Sequence, residues 1–386
     1  MVWKLLIILI LMNASIQKRI DISAFGMPVV DYVVYSDDTP ELSTEIRSNL
    51  KYQMENSTKS NEILSKLYHS PKVHKTVGGS ALNTLRMANF LIQKENNFYM
   101  GCIGKDLNGD LIKHTLKEEK IEFGFSESQV NSTSTAIVLI DKNEREPFVN
   151  IGSSRDLSTE HMKQFAHYLN NSKIIFTDAY LIHYLFPSYQ YLFRTYSKNN
   201  NIVLSISLAA WEIITDYFDK VKEIIKYADL LFMNESEFDT LYKLMKFTPQ
   251  NENEKIKEFV QFLSDKKENK NKTFVMVVTR GKADALLCIF DYSKNKAIIE
   301  YHPIIKIDRK LEIDTTGLGD SFAGGFLAGM ILNKSYSECA VLGNIMSSKV
   351  IQLKGFQVPK LNVEDIKKEL EQEYSNEKNN YLSSDL

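Results

Sequence analysis

The chain contains the stretch Glu312-Ile-Asp-Thr-Thr-Gly-Leu-Gly-Asp-Ser-Phe-Ala-Gly-Gly-Phe-Leu-Ala-Gly-Met330. It predicts a glycine loop that opens onto a helix, because the apolar residues Phe322, Phe326 and Met330 recur at helical spacing. Small residues at a helix N-terminus leave backbone N–H groups free to bind an anion. Asp320 stands at that same N-terminus and would repel a phosphate. Its presence therefore indicates chemistry, such as accepting a proton from an attacking hydroxyl group.

Two common glycine motifs do not fit this stretch. A phosphate-binding P-loop needs Lys followed by Ser or Thr after its last glycine; Gly319 and Gly324 have the spacing, but Gly325 and Phe326 follow. A dinucleotide fingerprint belongs to the first strand and helix of a sheet, whereas Gly317 lies near the C-terminus. For this segment alone, a glycine-rich turn before a tightly packed helix remains an open alternative.

Three further segments place polar or glycine residues at a strand end or a helix start. They are Gly78-Gly79-Ser80 with Asn83, Asn234-Glu-Ser-Glu237, and Thr279-Arg-Gly281. Glycine pairs let a ligand approach the backbone closely, and open α/β sheets bind ligands at the carboxyl edge of their strands. Taken singly, each segment is equally consistent with an ordinary helix cap or turn. The case for a site rests on their occurrence together.

Apolar strands alternate with helical stretches along most of the chain. This alternation predicts a mostly parallel sheet covered by helices on both faces. The expected strands lie at 98–103, 173–177, 202–206, 230–233 and 274–278, after a first short strand that starts at 22. Residues 134–140 and 147–151 are predicted to pair as a hairpin across a charged turn, 141–145.

Composition excludes several classes of function. The 386 residues carry 47 basic and 49 acidic side chains, a formal net charge of −2. That balance argues against a broad surface for nucleic acid or for an anionic membrane. Cys102, Cys288 and Cys339 lie far apart in the sequence, so they predict neither a disulfide framework nor a zinc cluster, and they fit a reducing compartment.

Taken in chain order, the three polar or glycine segments and the glycine stretch at 312–330 resemble the signatures of the ribokinase-like (PfkB) family of carbohydrate and nucleoside kinases. The resemblance is closest to the adenosine kinase branch of that family. The first signature is carried by Gly78-Gly79-Ser80-Ala-Leu-Asn83 with Gly101-Cys-Ile-Gly104-x-Asp106-x-x-Gly109. The second is carried by Asp314-Thr-x-Gly317-x-Gly319-Asp320 with Gly324-Gly325-Phe326. The resemblance runs from about 20 to 359. It implies a three-layer α/β fold with a central, mostly parallel sheet and a small lid.

The resemblance also implies roles for individual residues. Asp320 would be the general base for the hydroxyl group that attacks the γ-phosphate of ATP. The charge that develops would be bound by the amides of Gly317, Leu318 and Gly319. Arg145, on the predicted lid hairpin, would reach the phosphate that is transferred. The sugar of the acceptor would be bound by Asp31, Gly78, Gly79, Ser80 and Asn83.

On the ATP side, the resemblance implies Asn234, Thr279, Gly281 and Asn344. Glu237 would hold Mg²⁺ through the water shell of the ion, since Mg²⁺ keeps several waters when it binds proteins. ATP and Mg²⁺ are thus the expected cofactors, and a monovalent cation is a further candidate.

The implied activity is ATP-dependent phosphorylation of the 5′-hydroxyl of a nucleoside, with adenosine converted to AMP as the leading case. Tyr180 and Leu181 fall in the region where the family places an aromatic residue that stacks on the base. One alternative is a sugar kinase of the same family, acting on ribose or a ketohexose. Another is a degenerate, non-catalytic nucleoside-binding member, because Leu318 replaces a small residue and Met27 replaces a polar one.

The chain divides into three parts. Residues 1–19 include an apolar run, 5–12, which is too short to span a bilayer and is typical of a secretory signal or a packing element. Residues 20–364 form the expected kinase domain, with a lid from about 32–77 and 124–150. The polar tail, 365–386, is expected to end in disorder. We expect a cytoplasmic monomer or homodimer without a membrane span, and a secretory route is the alternative.

Overall fold

The computed structural model describes residues 19–50, 54, 58–141, 144–248 and 251–384. Within these residues the strands form two sheets, a large one of nine strands and a small one of four. Neighbouring strands of the large sheet are parallel except for two antiparallel pairs at one edge. The predicted α/β class with a mostly parallel sheet is confirmed.

The order of strands defines both sheets. From one edge to the other, the large sheet consists of β13 (Lys296–His302), β12 (Ala283–Asp291), β11 (Phe274–Arg280), β10 (Leu230–Asn234), β9 (Val203–Ser207), β8 (Ser172–Asp178), β1 (Ile20–Phe25), β4 (Asn97–Gly104) and β5 (Glu122–Ser128). The small sheet, called the lid sheet below, consists in order of β3 (His74–Gly78), β2 (Val29–Tyr35), β6 (Ser134–Asp141) and β7 (Glu144–Asn150).

Helices connect most of these strands. They are α1 (Pro40–Asn49), α2 (Thr58–His69), α3 (Ser80–Ile92), α4 (Leu107–Glu118), α5 (Thr159–Gln164), α6 (Ala166–Asn170), α7 (Phe186–Tyr196), α8 (Trp211–Asp216), α9 (Phe218–Ile225), α10 (Glu235–Leu244), α11 (Glu252–Lys266), α12 (Leu318–Ile331), α13 (Tyr336–Val350) and α14 (Val363–Ser384). Short 3₁₀ turns lie at Gly152–Asp156 and Arg309–Leu311.

Side chains of the large sheet alternate between two cores, because successive residues of a strand point to opposite faces. Phe232 of β10 packs against Phe326 of α12, with ring centroids 5.4 Å apart. Its neighbours Leu231 and Met233 belong to the core on the other face, which includes Leu241 of α10. Helices α3, α12 and α13 thus cover one face, and α7, α9, α10 and α11 cover the other. The predicted three-layer arrangement is confirmed.

The lid sheet buries one face under its own helices. Val30 and Tyr32 of β2 share a core with Ile46 of α1 and Ile63 of α2. Alternation along β2 therefore directs the intervening residue, Asp31, to the opposite face of the lid sheet. The segment after β2, which lies within the predicted lid, supplies the two helices that make this cover possible.

The predicted lid boundaries differ from the structure at two points. Residues 122–128, partly assigned to the lid, form β5 and pair in parallel with β4 of the large sheet, from Phe98 opposite Glu122 to Gly104 opposite Ser128. The second lid segment begins instead at β6. At the other end the lid sheet already starts at Val29. The antiparallel hairpin of β12 and β13 was not expected from the sequence.

The tail, 365–386, was expected to end in disorder, but it is helical as far as 384, because 363–384 form α14. Ile366 and Leu370 are buried against the core, one helical turn apart. The Lys349 ammonium of α13 lies 2.7 Å from Glu369, and Glu377 lies 3.0 Å from the ring of His302. Because the segment is mostly polar, the buried residues Ile366 and Leu370, which pack α14 against the core, were not recognised from the sequence.

The N-terminal apolar run falls on residues 1–18, outside the described part of the chain, so its expected role as signal or packing element stays a prediction. Across 19–50, 54, 58–141, 144–248 and 251–384, no helix is both long and apolar enough to cross a membrane.

Candidate active site

The glycine loop before α12 is held in place by Asp314. One oxygen of this carboxylate accepts from the amide of Thr316, and the other accepts from the amide of Gly355, each at 2.8 Å. Gly317 caps the helix at φ +74°, where a Cβ would also lie 2.6 Å from the ring of Phe356. Only glycine meets both demands easily. The loop thereby delivers Asp320 into the first turn of α12, as predicted.

Asp320 is bonded to two residues of α3. Ser80 Oγ donates to Oδ1 at 2.6 Å, and Asn83 Nδ2 donates to Oδ2 at 3.0 Å. Burial raises the pKa of Asp320, and these two hydrogen bonds oppose that rise by stabilising the charged form. The structure therefore brings together the residues that the sequence named as general base and as part of the sugar site.

Gly78 and Gly79 allow the chain to pass close to neighbouring groups. A Cβ at Gly79, whose φ is +104°, would lie 2.0 Å from the carbonyl oxygen of Met27. A Cβ at Gly78 would lie 2.2 Å from Oδ2 of Asp31. The glycine pair thus brings β3 and the start of α3 against the lid strand that carries Asp31.

Asp31 lies on the face of the lid sheet opposite the buried Val30 and Tyr32. Burial and the nearby charge of Asp320 raise its pKa to about 7, and the charge of Arg86 partly opposes this. Arg86 is itself engaged by Glu119, whose carboxylate it contacts at 2.6 Å, and it donates to the carbonyl of Val77. The carboxyl groups of Asp31 on the lid sheet and Asp320 on α12 are thus close enough to influence each other.

Leu318 and Met27, two departures from the family pattern, are both partly buried against the cores. The side chain of Leu318 packs against the core, and its carbonyl accepts from Ser347 Oγ at 3.0 Å. The side chain of Met27 packs against the core on the other face of the sheet.

A second carboxylate near Asp320 was missed by the sequence analysis. Asp178 ends β8, is 1 % exposed, and accepts from the amides of Ala81 and Tyr180, each at 2.9 Å. Burial raises its pKa to about 7; the two amides oppose this, and the charge of Asp320 adds to it. The available signal was an aspartate directly after an apolar strand, at the carboxyl edge of the sheet.

Two aromatic residues stand near this edge. Tyr180 follows Asp178 and is 39 % exposed, and Trp211 begins α8 and is 49 % exposed. The hydroxyl of Tyr180 donates to the carbonyl of Ala209, two residues before Trp211. Tyr180 was expected in the base region; Trp211 was not named. Leu181, the other residue expected there, is fully buried in the core.

Two of the four residues expected on the ATP side lie on adjacent strands. Asn234 of β10 and Thr279 of β11 are paired in register. Gly281 follows at φ +61°, with open space where a Cβ would stand. Asn344 of α13 donates to the carbonyls of His302 and Pro303, so its amide group fixes the chain after β13.

Glu237 forms a capping box with Asn234. Its two oxygens accept from the backbone and side-chain nitrogens of Asn234 at 3.0 and 2.6 Å, and its amide donates to Asn234 Oδ1 at 2.9 Å. Burial raises its pKa to about 7, and the backbone bond from Asn234 opposes this. The ordinary helix cap, one of the two interpretations of this segment, is therefore present. A role of the same carboxylate toward a metal ion would come in addition to this cap.

Arg145 lies within β7, paired with Ile140 of β6, rather than in the turn where the charge pattern placed it. It is therefore part of the lid sheet, as the resemblance implied. The structure describes its backbone position only.

A family profile described as pfkB family carbohydrate kinase matches residues 54–362. The chain belongs to the PfkB family. This match confirms the family resemblance that the glycine and aspartate signatures predicted.

Individual relatives agree with the family. The chain is 28 % identical to adenosine kinase of Dictyostelium discoideum over 357 residues, covering 89 % of this chain and 98 % of that protein. Among solved structures it resembles the adenosine kinase of Trypanosoma brucei brucei, with a TM-score of 0.75 at 22 % identity, over 87 % and 99 % of the two chains. It also resembles adenosine kinase from Schistosoma mansoni in complex with adenosine and AMP, with a TM-score of 0.73 at 22 % identity, over 88 % and 97 %. These structures establish the shared PfkB-type fold.

Proposed function

We propose that this PfkB-family chain transfers the γ-phosphate of ATP to the 5′-hydroxyl of a nucleoside, with adenosine as the first candidate. The observation that carries the proposal is the placement of Asp320. It stands in the first turn of α12, directly after the glycine loop, and is bonded to Ser80 and Asn83 of α3. A carboxylate at an anion-binding helix end is suited to take a proton from a hydroxyl that attacks phosphate.

In the proposed reaction, Asp320 accepts the proton of the acceptor hydroxyl as the hydroxyl oxygen forms a bond to the γ-phosphorus. The bond from that phosphorus to the bridging oxygen of ADP breaks. The amides of Gly317, Leu318 and Gly319 would bind the negative charge on the transferring group. Arg145 of the lid sheet would add a positive charge when the lid closes.

The acceptor would lie between the lid sheet and the start of α3. Asp31 would accept hydrogen bonds from sugar hydroxyls, and Gly78 and Gly79 would let the sugar approach the backbone. Tyr180 and Trp211, two exposed aromatic rings at one edge, offer faces on which a planar base could stack. This aromatic pair is what favours a nucleoside over a simple sugar.

The ATP side would use Asn234, Thr279, Gly281 and Asn344. No cluster of three or more His, Cys, Asp or Glu side chains that could hold a metal ion occurs in the described part of the chain. Mg²⁺ does not require such a cluster, because it binds through one or two carboxylates together with substrate phosphates and its own waters. Both oxygens of Glu237 already accept from Asn234. Glu237 would therefore reach the ion through water; a monovalent cation stays a further candidate.

Two other functions follow from specific observations. A sugar kinase acting on ribose or a ketohexose is consistent with the family, whose description is carbohydrate kinase. A non-catalytic nucleoside-binding member is suggested by Leu318 and Met27, two partly buried residues that pack against the two cores. A cytoplasmic location and a monomeric or homodimeric state remain part of the proposal.

The test is a substrate panel with the purified 386-residue chain, Mg·ATP, and adenosine, ribose or fructose. We expect AMP and ADP to form in equal amounts with adenosine. Phosphorylation of ribose or fructose alone would replace the nucleoside by a sugar. Calorimetric binding of adenosine without any transfer would indicate the non-catalytic alternative. An Asp320→Asn preparation, purified identically, controls for a contaminating kinase.

A further inference from the structure

Helix α3 begins without a cap of its own. Its N-cap residue, Gly79, has no side chain, and a Cβ there would collide with the carbonyl oxygen of Met27. A helix that starts on glycine leaves its first amides without the oxygen that Ser, Thr, Asp or Asn normally supplies. The helix that positions Ser80 and Asn83 beside Asp320 therefore needs an acceptor from elsewhere in the fold.

Asp178 supplies that acceptor from the end of β8. Its Oδ2 accepts from the amide of Ala81, the second residue of α3, and its Oδ1 accepts from the amide of Tyr180. One carboxylate thus joins the start of α3 to the loop that carries the exposed ring of Tyr180. Negative charge at a helix N-terminus is also favoured by the helix dipole.

The space around Asp178 is closely filled. A Cβ at Gly26 would lie 3.1 Å from Asp178 Oδ2 and 2.8 Å from the Cβ of Ala81. The carbonyl of Asp178 accepts from the hydroxyl of Tyr189, which fixes the backbone as well. A longer acid has no room to reach the same two amides. An asparagine keeps the shape but can accept at only one of its two terminal atoms.

We propose that Asp178 is a positioning residue for the acceptor half of the active site. It caps α3 in place of Gly79, so that Ser80 and Asn83 hold Asp320, and it fixes the Tyr180 loop against the same helix. This inference rests on the proposed function for its kinetic consequences. The cap itself can be measured without any activity.

The proposal predicts a selective effect. The hydrogen bonds of the Asp178 carboxylate lead to α3 and to the Tyr180 loop, whereas the expected ATP side lies on β10, β11 and α13. Loss of the cap should raise KM for the acceptor about tenfold and leave KM for ATP within about twofold. The value of kcat should also fall, because Asp320 would be displaced from its productive position and a displaced catalytic group lowers the reaction rate.

The experiment compares Asp178→Asn and Asp178→Ala with Asp21→Asn. Asp21 is a matched control: it is equally buried, at 2 % exposed, but sits at the start of β1 and pairs with Lys173. Steady-state kinetics are measured for both substrates well below the unfolding temperature of each variant. Equal changes in both KM values, or none, would overturn the proposal, since a general structural role predicts no split between the substrates.

Amide hydrogen exchange provides the second measurement. Exchange at Ala81 and Tyr180 should accelerate at least about tenfold in Asp178→Ala and at one of the two in Asp178→Asn. Unchanged exchange at both positions refutes the cap. If the wild-type chain phosphorylates no acceptor, the proposed function fails while exchange still decides the cap. If Asp178→Ala does not fold, Asp178→Asn carries the test.

Discussion

Ser80 Oγ lies 2.6 Å from Asp320 Oδ1, although the two residues are 240 positions apart in the chain. Asn83 makes the second bond to the same carboxylate. The two family signatures, which lie near opposite ends of the sequence, thus meet at one side chain. That meeting makes the protonation and orientation of Asp320 depend on α3.

Asp320→Asn should abolish most phosphoryl transfer, because an amide cannot accept the proton of the attacking hydroxyl. We expect kcat to fall by roughly a hundredfold to ten-thousandfold, the range for loss of a general base. Binding of the acceptor, measured by calorimetry, should change little because the side chain keeps its shape. Asp284→Asn, at an exposed position of β12, is the control. Near-normal turnover in Asp320→Asn would remove Asp320 from the mechanism.

Ser80→Ala should move the acid limb of the pH–rate profile to higher pH. The bond from Ser80 lowers the pKa of Asp320, so its removal lets burial raise that pKa further. We also expect kcat at pH 7 to fall by about tenfold, in line with loss of a hydrogen bond to a charged group. The profile of kcat/KM is the measurement. An acid limb that stays in place would mean that Asp320 is not the group that titrates.

In the absence of ligands, the stabilising contribution of Asp31 should decrease as pH rises through the acid range. Folding raises its pKa from 3.8 to about 7, so between these values the folded chain holds a proton that the unfolded chain has released. The contribution of Asp31 to the free energy of unfolding therefore falls from about pH 4 to about pH 7 and levels off above. Urea unfolding at pH 5 and pH 8 should show a smaller fall in Asp31→Asn than in wild type. Equal falls would contradict the assignment.

Glu377→Gln should loosen α14. The ring of His302 lies between Glu300 and Glu377; burial works against the charge of the ring, but the two carboxylates dominate and raise its pKa to about 9. Because the folded value lies above the unfolded 6.5, this contribution is complete below pH 6.5 and is lost as pH rises through about 9. We expect a loss of about 1–3 kcal/mol at pH 7.

Urea unfolding at pH 7 and pH 10 measures the effect of Glu377→Gln, which should shrink at the higher pH. Glu371→Gln, exposed on the same helix, is the matched control and should change little at either pH. A loss of the same size at both pH values would mean that the His302 ion pair is not its source.

The sequence allowed the sheet, its helices and the residues around Asp320 to be predicted, because strand ends and glycine turns leave local patterns. Asp178 escaped notice since its partners, Ala81 and Tyr180, donate through their backbone, which has no sequence signature. Helix α14 was missed because two buried residues, Ile366 and Leu370, are outnumbered by charges. The register of β5 against β4 is set by packing between distant segments, and so the lid boundary was misplaced.

The contact of Gly79 with position 27 is made to a carbonyl oxygen, an atom that every amino acid carries. The two neighbouring positions should therefore differ in the substitutions that they tolerate. Position 79 should reject every side chain, since any Cβ meets that oxygen at 2.0 Å. Position 27 should accept many apolar or polar residues that fill the same space. In a saturation library selected for growth, one site would be nearly invariant while the residue touching it varied freely.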